Sequence, residues 1–139
     1  MTNRSLQYIV KDQEPLTRGP EASLQEACQD MWTRRVGAVM VVDDGRLVGI
    51  FTGRDAVHAL SRGFDPRHTP LATAMTPAPD TIPPEATAID ALRRMRDCGY
   101  RHLPIVDRGR IVGIVSRGDF QGLELDRLEG EDALWERIC

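Results

Sequence analysis

The sequence contains an internal repeat, and this duplication constrains the fold more than any other feature. Residues 20–55 align without a gap on residues 84–119, and 13 of these 36 positions are identical. The identities cluster on glycines and aspartates as well as on apolar residues. A self-match at one fixed spacing indicates that a single structural unit is used twice.

Each repeat is predicted to contain a helix with a capped start. Ser23 is followed three residues later by Glu26, and Thr87 by Asp90. A hydroxyl cap with an acid at the third helical position is typical of a capping box. We expect the second box to be the weaker one because its acid is Asp. Apolar residues then recur at helical spacing, which gives each helix one apolar stripe.

Two strands joined by a tight turn are predicted to follow each helix. The first pair spans residues 36–42 and 47–51, and the second pair spans residues 103–106 and 111–115. The segment that links each pair has glycine as its third residue, and in the first repeat it contains the Asp-Gly signal of a hairpin. Each pair is therefore expected to be an antiparallel hairpin.

The predicted fold class is α+β, a mixed α/β arrangement of two tandem βαββα repeats. A further helix is predicted to begin near Arg54 in the first repeat and near Gly118 in the second. About 60 residues form only a marginal core. We therefore expect the repeats to pack on each other about a pseudo-two-fold axis, with clefts where their sheets meet. The predicted boundaries are residues 8–62 for the first repeat, 63–80 for the connection, 81–122 for the core of the second repeat with its lead-in at 71–80, and 123–139 for a helical tail with Leu134, Trp135 and Ile138 on one side.

The composition argues against several partners. The chain has 139 residues, 41% of them apolar, and a formal charge of −3, which offers no general attraction to nucleic acid or to anionic lipid. The longest apolar run, residues 36–42, is far too short to cross a bilayer. Residues 1–8 lack the apolar centre of a signal peptide. We expect a cytoplasmic protein without nucleic-acid or membrane partners.

The cysteines and histidines do not indicate a metal site or a disulfide framework. Cys28, Cys98 and Cys139 are odd in number and have no metal-ligand spacing, so we interpret them as reduced thiols, with Cys28 in a helix core. His58 and His68 lack partners at ligand spacing and are expected on the surface.

The heptapeptides at residues 49–55 and 113–119 are the strongest chemical signal. Each runs Gly-apolar-apolar-Thr/Ser-x-x-Asp and lies where a strand ends and a helix begins. The hydroxyls of Thr52 and Ser116 suit a phosphate or a sugar, and Asp55 or Asp119 could accept both hydroxyls of a ribose. The alternative interpretation is a helix cap with a tight turn. Gly49 and Gly113 indicate close packing or close approach of a ligand.

These heptapeptides resemble the CBS-domain family, whose paired repeats are called Bateman modules. Residues 99–107, Gly-Tyr-Arg-His-Leu-Pro-Ile-Val-Asp, and residues 75–77, Met-Thr-Pro, carry further marks of the resemblance, which covers residues 8–122. The resemblance implies a nucleotide site that takes its ribose aspartate from one repeat and its adenine contacts from the other.

Two candidate clefts follow from the resemblance, position by position. The first comprises Thr17, Ala22, Val36, Gly37, Arg101, His102, Ile114, Ser116, Gly118 and Asp119. The second comprises Ile50, Thr52, Arg54, Asp55, Thr81, Ala86 and Tyr100.

The two clefts differ in charge, and we expect the first to be the better nucleotide site. Arg101 and His102 are predicted to reach the phosphates there, whereas the matching positions in the first repeat are Gly37 and Ala38. Taken singly, Arg101 is consistent with a surface charge and His102 with a hydrogen-bonded core residue. The second cleft keeps Arg54, which suits a less charged ligand or none.

The predicted function is a regulatory module that binds an adenine nucleotide without catalysis. The resemblance implies AMP, ADP, ATP, NAD or S-adenosylmethionine as the regulatory ligand, a disc-like homodimer, and action on a separate protein or through self-association. The alternative is a structural dimerisation module with a degenerate cleft. An enzyme is disfavoured because no nucleophile–base pair, phosphate-binding loop or dinucleotide fingerprint appears.

Overall fold

The computed structural model describes residues 3–120 of the chain. The predicted terminal helix with Leu134, Trp135 and Ile138 lies outside the described residues, as does Cys139. Within residues 3–120, none of the helices has the length and apolar character needed to cross a membrane.

Helices and strands alternate twice along the described chain, as the repeat predicts. The helices are α1 (Leu6–Val10), α2 (Leu24–Arg34), α3 (Gly53–Ser61), α4 (Leu71–Ala74) and α5 (Ala88–Cys98), with a 3₁₀ turn at Arg117–Asp119. The strands are β1 (Thr17–Arg18), β2 (Ala38–Asp43), β3 (Arg46–Thr52), β4 (Thr76–Pro77), β5 (His102–Asp107) and β6 (Arg110–Ser116). The mixed α/β class with two tandem repeats is confirmed.

The chain divides into two compact units, and each contains one repeat. Among the described residues, the first-repeat unit comprises residues 14–80 and 109–111, and the second-repeat unit comprises residues 3–13, 81–108 and 112–120. The predicted repeat boundaries refer to the duplicated sequence and remain a prediction. Each packing unit also includes a short segment that lies outside the duplicated residues 20–55 and 84–119.

The first-repeat unit contains a four-stranded sheet in the order β1-β2-β3-β4. Strand β1 pairs with β2 in parallel, and the other neighbours are antiparallel. Asp44 and Gly45 have φ angles of 51° and 76°, as a two-residue type I′ hairpin turn requires. The second-repeat unit has the equivalent hairpin of β5 and β6, with φ angles of 51° at Arg108 and 80° at Gly109. The two predicted hairpins are therefore confirmed.

Each unit also contains a short segment that packs beside its helix, residues 69–78 in the first-repeat unit and residues 4–13 in the second-repeat unit. We call each of these the lead-in segment of the unit in which it packs. In the first-repeat unit, Leu24 N donates to Thr69 O and Leu71 N donates to Ala22 O. In the second-repeat unit, Ala88 N donates to Arg4 O, and the N–H of the first residue of α1 donates to the Ala86 carbonyl. Helix α1 was not predicted, since its five residues have no side-chain cap and depend on these distant hydrogen bonds.

Each unit has its own apolar core. In the first-repeat unit the buried cluster is Leu24, Ala27, Met31, Val39, Val41, Phe51, Ala59 and Leu71. In the second-repeat unit it is Leu6, Val10, Ile82, Ala88, Ile89, Ala91, Leu92, Met95, Leu103, Ile105, Val115 and Phe120. The predicted apolar stripes of α2 and α5 supply much of both clusters, and each lead-in segment adds a fully buried leucine, Leu71 or Leu6.

The helix caps reverse the predicted ranking of the two capping boxes. Thr87 and Asp90 form the complete box, because Thr87 Oγ1 accepts from Asp90 N and Asp90 Oδ2 accepts from Thr87 N at 3.0 Å. Ser23 accepts only from Glu26 N, at 3.1 Å. The Glu26 carboxylate instead lies 3.5 Å from the guanidinium of Arg18. The expectation that the Asp box is the weaker one was wrong, since a nearby cation draws the longer acid away from the cap.

Strand β2 begins two residues later than predicted. Helix α2 ends at Arg34, and its C-cap residue Arg35 adopts the left-handed conformation with φ 55°. Val36 N donates to Met31 O in the same C-terminal turn. Val36 is thus part of the helix cap rather than the strand, and Gly37 follows it before the strand starts.

Candidate functional site

The aspartate at the end of strand β6 is held in place by its own backbone turn. Asp119 Oδ2 accepts from Ser116 N at 2.7 Å and from Ser116 Oγ at 3.2 Å. The bond from Ser116 N is the carboxylate half of a capping box across the 3₁₀ turn. Within residues 3–120, Asp119 Oδ1 accepts no hydrogen bond. The turn therefore fixes the carboxylate and leaves one oxygen available to a ligand's hydroxyl groups.

Three basic side chains flank this turn. Arg4 contacts it directly, since its guanidinium Nη2 donates to the backbone carbonyl oxygen of Asp119 at 3.1 Å. The other two are Arg101 and His102. Arg101 O accepts from Arg117 N at 3.1 Å, which ties the start of β5 to the turn. The Arg101 side chain is exposed and has no hydrogen-bond partner within the described part of the chain. Burial lowers the pKa of the half-buried His102 imidazole; the carboxylate of Asp119 acts in the opposite direction, and Arg101 adds to the lowering. His102 is therefore neutral near pH 7 in the unliganded chain.

The first-repeat unit contains a similar turn whose carboxylate is more fully occupied. Asp55 Oδ2 accepts from Thr52 N at 2.9 Å and from Thr52 Oγ1 at 3.2 Å. The second oxygen, Asp55 Oδ1, accepts from Thr76 Oγ1 at 3.1 Å. Both oxygens of Asp55 thus have protein partners. Sequence reasoning noted Thr76 only as part of a family mark and missed this contact.

The charge difference predicted between the two turns is present in the residues around them. In the first-repeat unit, Gly37 and Ala38 occupy the positions of Arg101 and His102, and Gly53 N donates to Gly37 O. Arg54 is exposed at the start of α3 and brings a cation that the second-repeat unit lacks at the matching Gly118. Each turn therefore has its own charge pattern.

Gly49 and Gly113 permit close packing by the protein itself. A Cβ added at Gly49 would lie 2.3 Å from Met75 Sδ, and one added at Gly113 would lie 2.8 Å from Val10 Cβ. Both obstructing side chains belong to the lead-in segment of the same unit. Of the two interpretations left open by the sequence, close packing accounts for these glycines.

The structure brings together the residues predicted for the ribose and phosphate side of each cleft. Arg101, His102, Ile114, Ser116, Gly118 and Asp119 lie on the β5–β6 hairpin and the turn after it. Ile50, Thr52, Arg54 and Asp55 lie at the β3–α3 junction. The residues predicted for the adenine of each cleft belong to the other unit, namely Thr17, Ala22, Val36 and Gly37 for the first cleft, and Thr81, Ala86 and Tyr100 for the second. Their part in binding remains a prediction.

Some of these adenine-side residues border a cavity within their own unit. Val36 and Gly37 line a cavity of about 940 Å³ together with Met31 and Trp32 of helix α2. Ala86 lines a smaller cavity of about 400 Å³ beside helix α5.

The cysteines of the described chain show no sign of a reactive site. Burial raises the pKa of the half-buried Cys28 thiol, which makes its reactive thiolate scarcer. Cys98 is a free thiol at the exposed end of α5. No group of three or more potential metal ligands occurs in residues 3–120.

Comparison with known proteins gives the same family for both repeats. A family model described as the CBS domain matches residues 12–62 and 71–123. The CBS domain-containing protein YhcV of Bacillus subtilis is 36% identical over 118 residues, which cover 84% of this chain and 81% of YhcV. An uncharacterized 17.7 kDa protein of Acidianus ambivalens is 36% identical over 122 residues, which cover 86% of this chain and 68% of that protein.

Other relatives are much longer proteins. The CBS domain-containing protein CBSCBSPB2 of Arabidopsis thaliana is 34% identical over 102 residues, which cover 72% of this chain but 19% of that protein. The chain therefore spans about a fifth of the length of this plant relative.

Two solved structures have the same fold and contain adenosyl compounds. The CBS domain protein PAE2072 from Pyrobaculum aerophilum, complexed with AMP, has a TM-score of 0.81 at 22% identity, covering 91% of this chain and 98% of that chain. The CBS domain pair of protein MJ0100, in complex with 5′-methylthioadenosine and S-adenosyl-L-methionine, has a TM-score of 0.76 at 25% identity, covering 92% of this chain and 97% of that chain.

Proposed function

This chain belongs to the CBS-domain family, and on that premise we propose that it binds an adenosyl ligand and acts as a regulatory module without catalysis. The ligand's ribose would lie on Asp119, with Arg101 and His102 next to its 5′ substituent. Binding would change how the chain acts on a separate protein or on a second copy of itself, in the cytoplasm. A ligand does this only by binding two states of the protein unequally.

The observation that carries the proposal is the open oxygen of Asp119. Its carboxylate is oriented by two hydrogen bonds from Ser116, yet Oδ1 accepts none from residues 3–120. A helix cap alone needs a single oxygen, whereas vicinal hydroxyls of a ribose need an acceptor that is both fixed and open. The turn supplies both properties.

The Arg101 guanidinium beside the turn favours a ligand with a negative 5′ group. Arg101 and Asp119 are both close enough to His102 to affect its pKa, so the three side chains share one region. An exposed guanidinium that has no hydrogen-bond partner among residues 3–120 suits bidentate contact with a phosphate or a carboxylate. This chemistry supports AMP, ADP or ATP, and S-adenosylmethionine through its carboxylate, among the adenosyl ligands predicted.

The complexed relative supports the adenosyl part of the ligand. MJ0100, at 25% identity, is a CBS domain pair in complex with S-adenosyl-L-methionine and 5′-methylthioadenosine. These two compounds share adenine and ribose but differ in the 5′ substituent. The shared part includes the ribose that we propose the Ser116–Asp119 turn holds. NAD is a further candidate.

We also propose that two copies of the chain form a homodimer through helices α2 and α3. Trp32 on α2 is 87% exposed, and Val57 and Leu60 on α3 are 67% and 66% exposed. Large apolar side chains at this exposure on neighbouring helices are typical of a surface that another chain covers.

The second candidate function, a structural dimerisation module, is favoured by the state of Asp55. Both oxygens of that carboxylate have protein partners, and neither Gly37 nor Ala38 brings a cation to it. If the Asp119 turn also bound no ligand, the chain would only form a homodimer.

Thermal unfolding with a panel of ligands tests the proposal against this alternative. The panel is AMP, ADP, ATP, NAD and S-adenosylmethionine, each measured on the wild type, Asp119→Ala and Asp55→Ala. Asp55→Ala is the matched control because it also removes a capping carboxylate. A ligand at 100 times its Kd should stabilise the fold by about 2.7 kcal/mol, which raises the Tm by several degrees. We expect this shift in the wild type and in Asp55→Ala but not in Asp119→Ala. No shift with any compound would leave the dimerisation module, and turnover of a nucleotide would refute a purely binding role.

A further inference from the structure

We infer that Thr76 closes the Asp55 turn to ligands, so that each chain binds one adenosyl ligand, at Asp119. The inference rests on the proposed function, since it assumes that a carboxylate at this turn holds the ribose. It adds a residue, Thr76, that decides which of the two equivalent turns is used.

The hydroxyl of Thr76 bonds to the carboxylate oxygen of Asp55 that a ribose would need. It donates to Asp55 Oδ1 at 3.1 Å, while Oδ2 already accepts two hydrogen bonds from Thr52. A carboxylate oxygen accepts two hydrogen bonds, so Oδ1 can take one ribose hydroxyl beside Thr76. The second of the two vicinal hydroxyls would have to displace the Thr76 donor and leave it without its acceptor. At Asp119, no donor from residues 3–120 bonds to Oδ1, and the nearby Arg4 guanidinium donates to the backbone carbonyl oxygen of Asp119 instead.

The backbone of the lead-in segment holds Thr76 in this position. Thr76 and Pro77 form strand β4, in which Thr76 is paired with Ile50 and Pro77 with Gly49. Ala78 N continues the edge by donating to the carbonyl oxygen of Val48 at 3.1 Å. Strand β4 therefore fixes the backbone of Thr76, and the hydrogen bond to Asp55 orients its exposed hydroxyl.

The second-repeat unit satisfies the same edge without placing a hydroxyl there. Ile114 stands at the position of Ile50, and its backbone is paired by the side chain of Gln13. Gln13 Nε2 donates to Ile114 O at 2.8 Å, and Gln13 Oε1 accepts from Ile114 N. The Gln13 amide thus makes the backbone contacts that strand β4 makes in the first-repeat unit, and Asp119 Oδ1 stays open.

Isothermal titration calorimetry on the full chain tests the inference, with AMP and adenosine as probes and S-adenosylmethionine as a further ligand for the wild type. Adenosine is included because it has the ribose but no phosphate. The Asp55 turn has few cations that could bind a phosphate. The variants are Thr76→Val, which keeps the shape and removes the donor, Thr76→Ser, which keeps the donor, and Asp55→Asn. Circular dichroism and the Tm of each variant establish that it is folded.

We expect one ligand per wild-type chain, with an affinity that Asp55→Asn changes less than about twofold. Thr76→Val should tighten adenosine binding at the second turn by about tenfold, which corresponds to one competing hydrogen bond. This should appear as a second site, and the double variant Thr76→Val/Asp55→Asn should lose it. Thr76→Ser should still bind one ligand.

Each other outcome has a distinct meaning. Two ligands per wild-type chain, one of them lost in Asp55→Asn, would refute the closing role of Thr76 and leave the proposed function intact. A single site in Thr76→Val with both probes would refute it as well. The absence of binding to the wild type by AMP, adenosine and S-adenosylmethionine would overturn the proposed function and the inference with it.

Discussion

The side-chain amide of Gln13 pairs with both backbone groups of Ile114, 101 residues away in the sequence. Gln13 Nε2 donates to the Ile114 carbonyl oxygen at 2.8 Å, and Gln13 Oε1 accepts from Ile114 N at 2.6 Å. In the first-repeat unit, strand β4 makes the corresponding contact to Ile50 through its backbone. In the second-repeat unit, a side chain therefore makes the contact that an edge strand makes in the first-repeat unit.

We predict that Gln13→Ala destabilises the chain by about 1–3 kcal/mol, because the two partly buried backbone groups of Ile114 lose their partners. Urea unfolding followed by circular dichroism gives the change in free energy. Gln7→Ala is the control, since Gln7 is exposed on the same lead-in segment. Equal midpoints for the two variants would show that the amide pair contributes nothing.

We predict that Gly113→Ala destabilises the chain by about 1–3 kcal/mol through overpacking. The added Cβ would lie 2.8 Å from Val10 Cβ, which is close to the backbone and cannot swing away as a flexible chain end would. Gly53→Ala is the matched control, because a Cβ there meets no atom within 4 Å. Thermal unfolding of both variants is the measurement. A Gly113→Ala variant as stable as Gly53→Ala would refute the close packing of the lead-in segment.

We predict that the stability of the unliganded chain falls as the pH drops below about 6.5 and that His102 causes part of this fall. Burial lowers the pKa of His102 below the ordinary histidine value of about 6.5, so the unfolded chain takes up a proton before the folded chain does. Stability is thus fully present above pH 6.5 and is lost between that pH and the lowered pKa. The charged groups that face the imidazole are Asp119 and Arg101.

The Tm of the wild type and His102→Gln, measured at intervals from about pH 5 to pH 8, tests this linkage. The profile of His102→Gln should be flatter than that of the wild type. The exposed His58 serves as the control, and His58→Gln should keep the wild-type slope. If the Tm of His102→Gln depended on pH as steeply as that of the wild type, protonation of His102 would not be linked to folding.

We predict that Trp32→Glu converts the proposed homodimer into a monomer. Trp32 is 87% exposed on helix α2, and a carboxylate at that place would have to be desolvated in the dimer. Sedimentation velocity measures the mass of the particle. Tyr8→Ser removes an aromatic that is 63% exposed on helix α1 and should leave the mass unchanged. A wild type that sediments as a monomer would contradict the proposed assembly.

The duplication made the main elements of the fold predictable. Helices α2 and α5 with their caps, and the two hairpins, follow from local patterns that occur twice, so each copy supports the other. One detail that failed was the ranking of the caps, because the position of Glu26 depends on Arg18, which lies in another element. Another was the start of β2, because Val36 belongs to the cap of α2.

The lead-in segments were not predictable because distant contacts determine their structure. The hydrogen bonds of Gln13 to Ile114 and of Thr76 to Asp55 join residues that no helical or strand period relates. One signal did point to them: Gly49 and Gly113 lack a side chain where a neighbour must approach closely. The neighbour turned out to be Met75 in one unit and Val10 in the other, which only coordinates could identify.

A crystal structure of the chain with the compound that raises the Tm most tests the central claim most directly. We predict that the ribose hydroxyls of that ligand lie within hydrogen-bond distance, about 2.6–3.0 Å, of Asp119 Oδ1, with Arg101 and His102 beside its 5′ group. A ligand whose ribose lies on Asp55, or one bound away from both turns, would contradict the account.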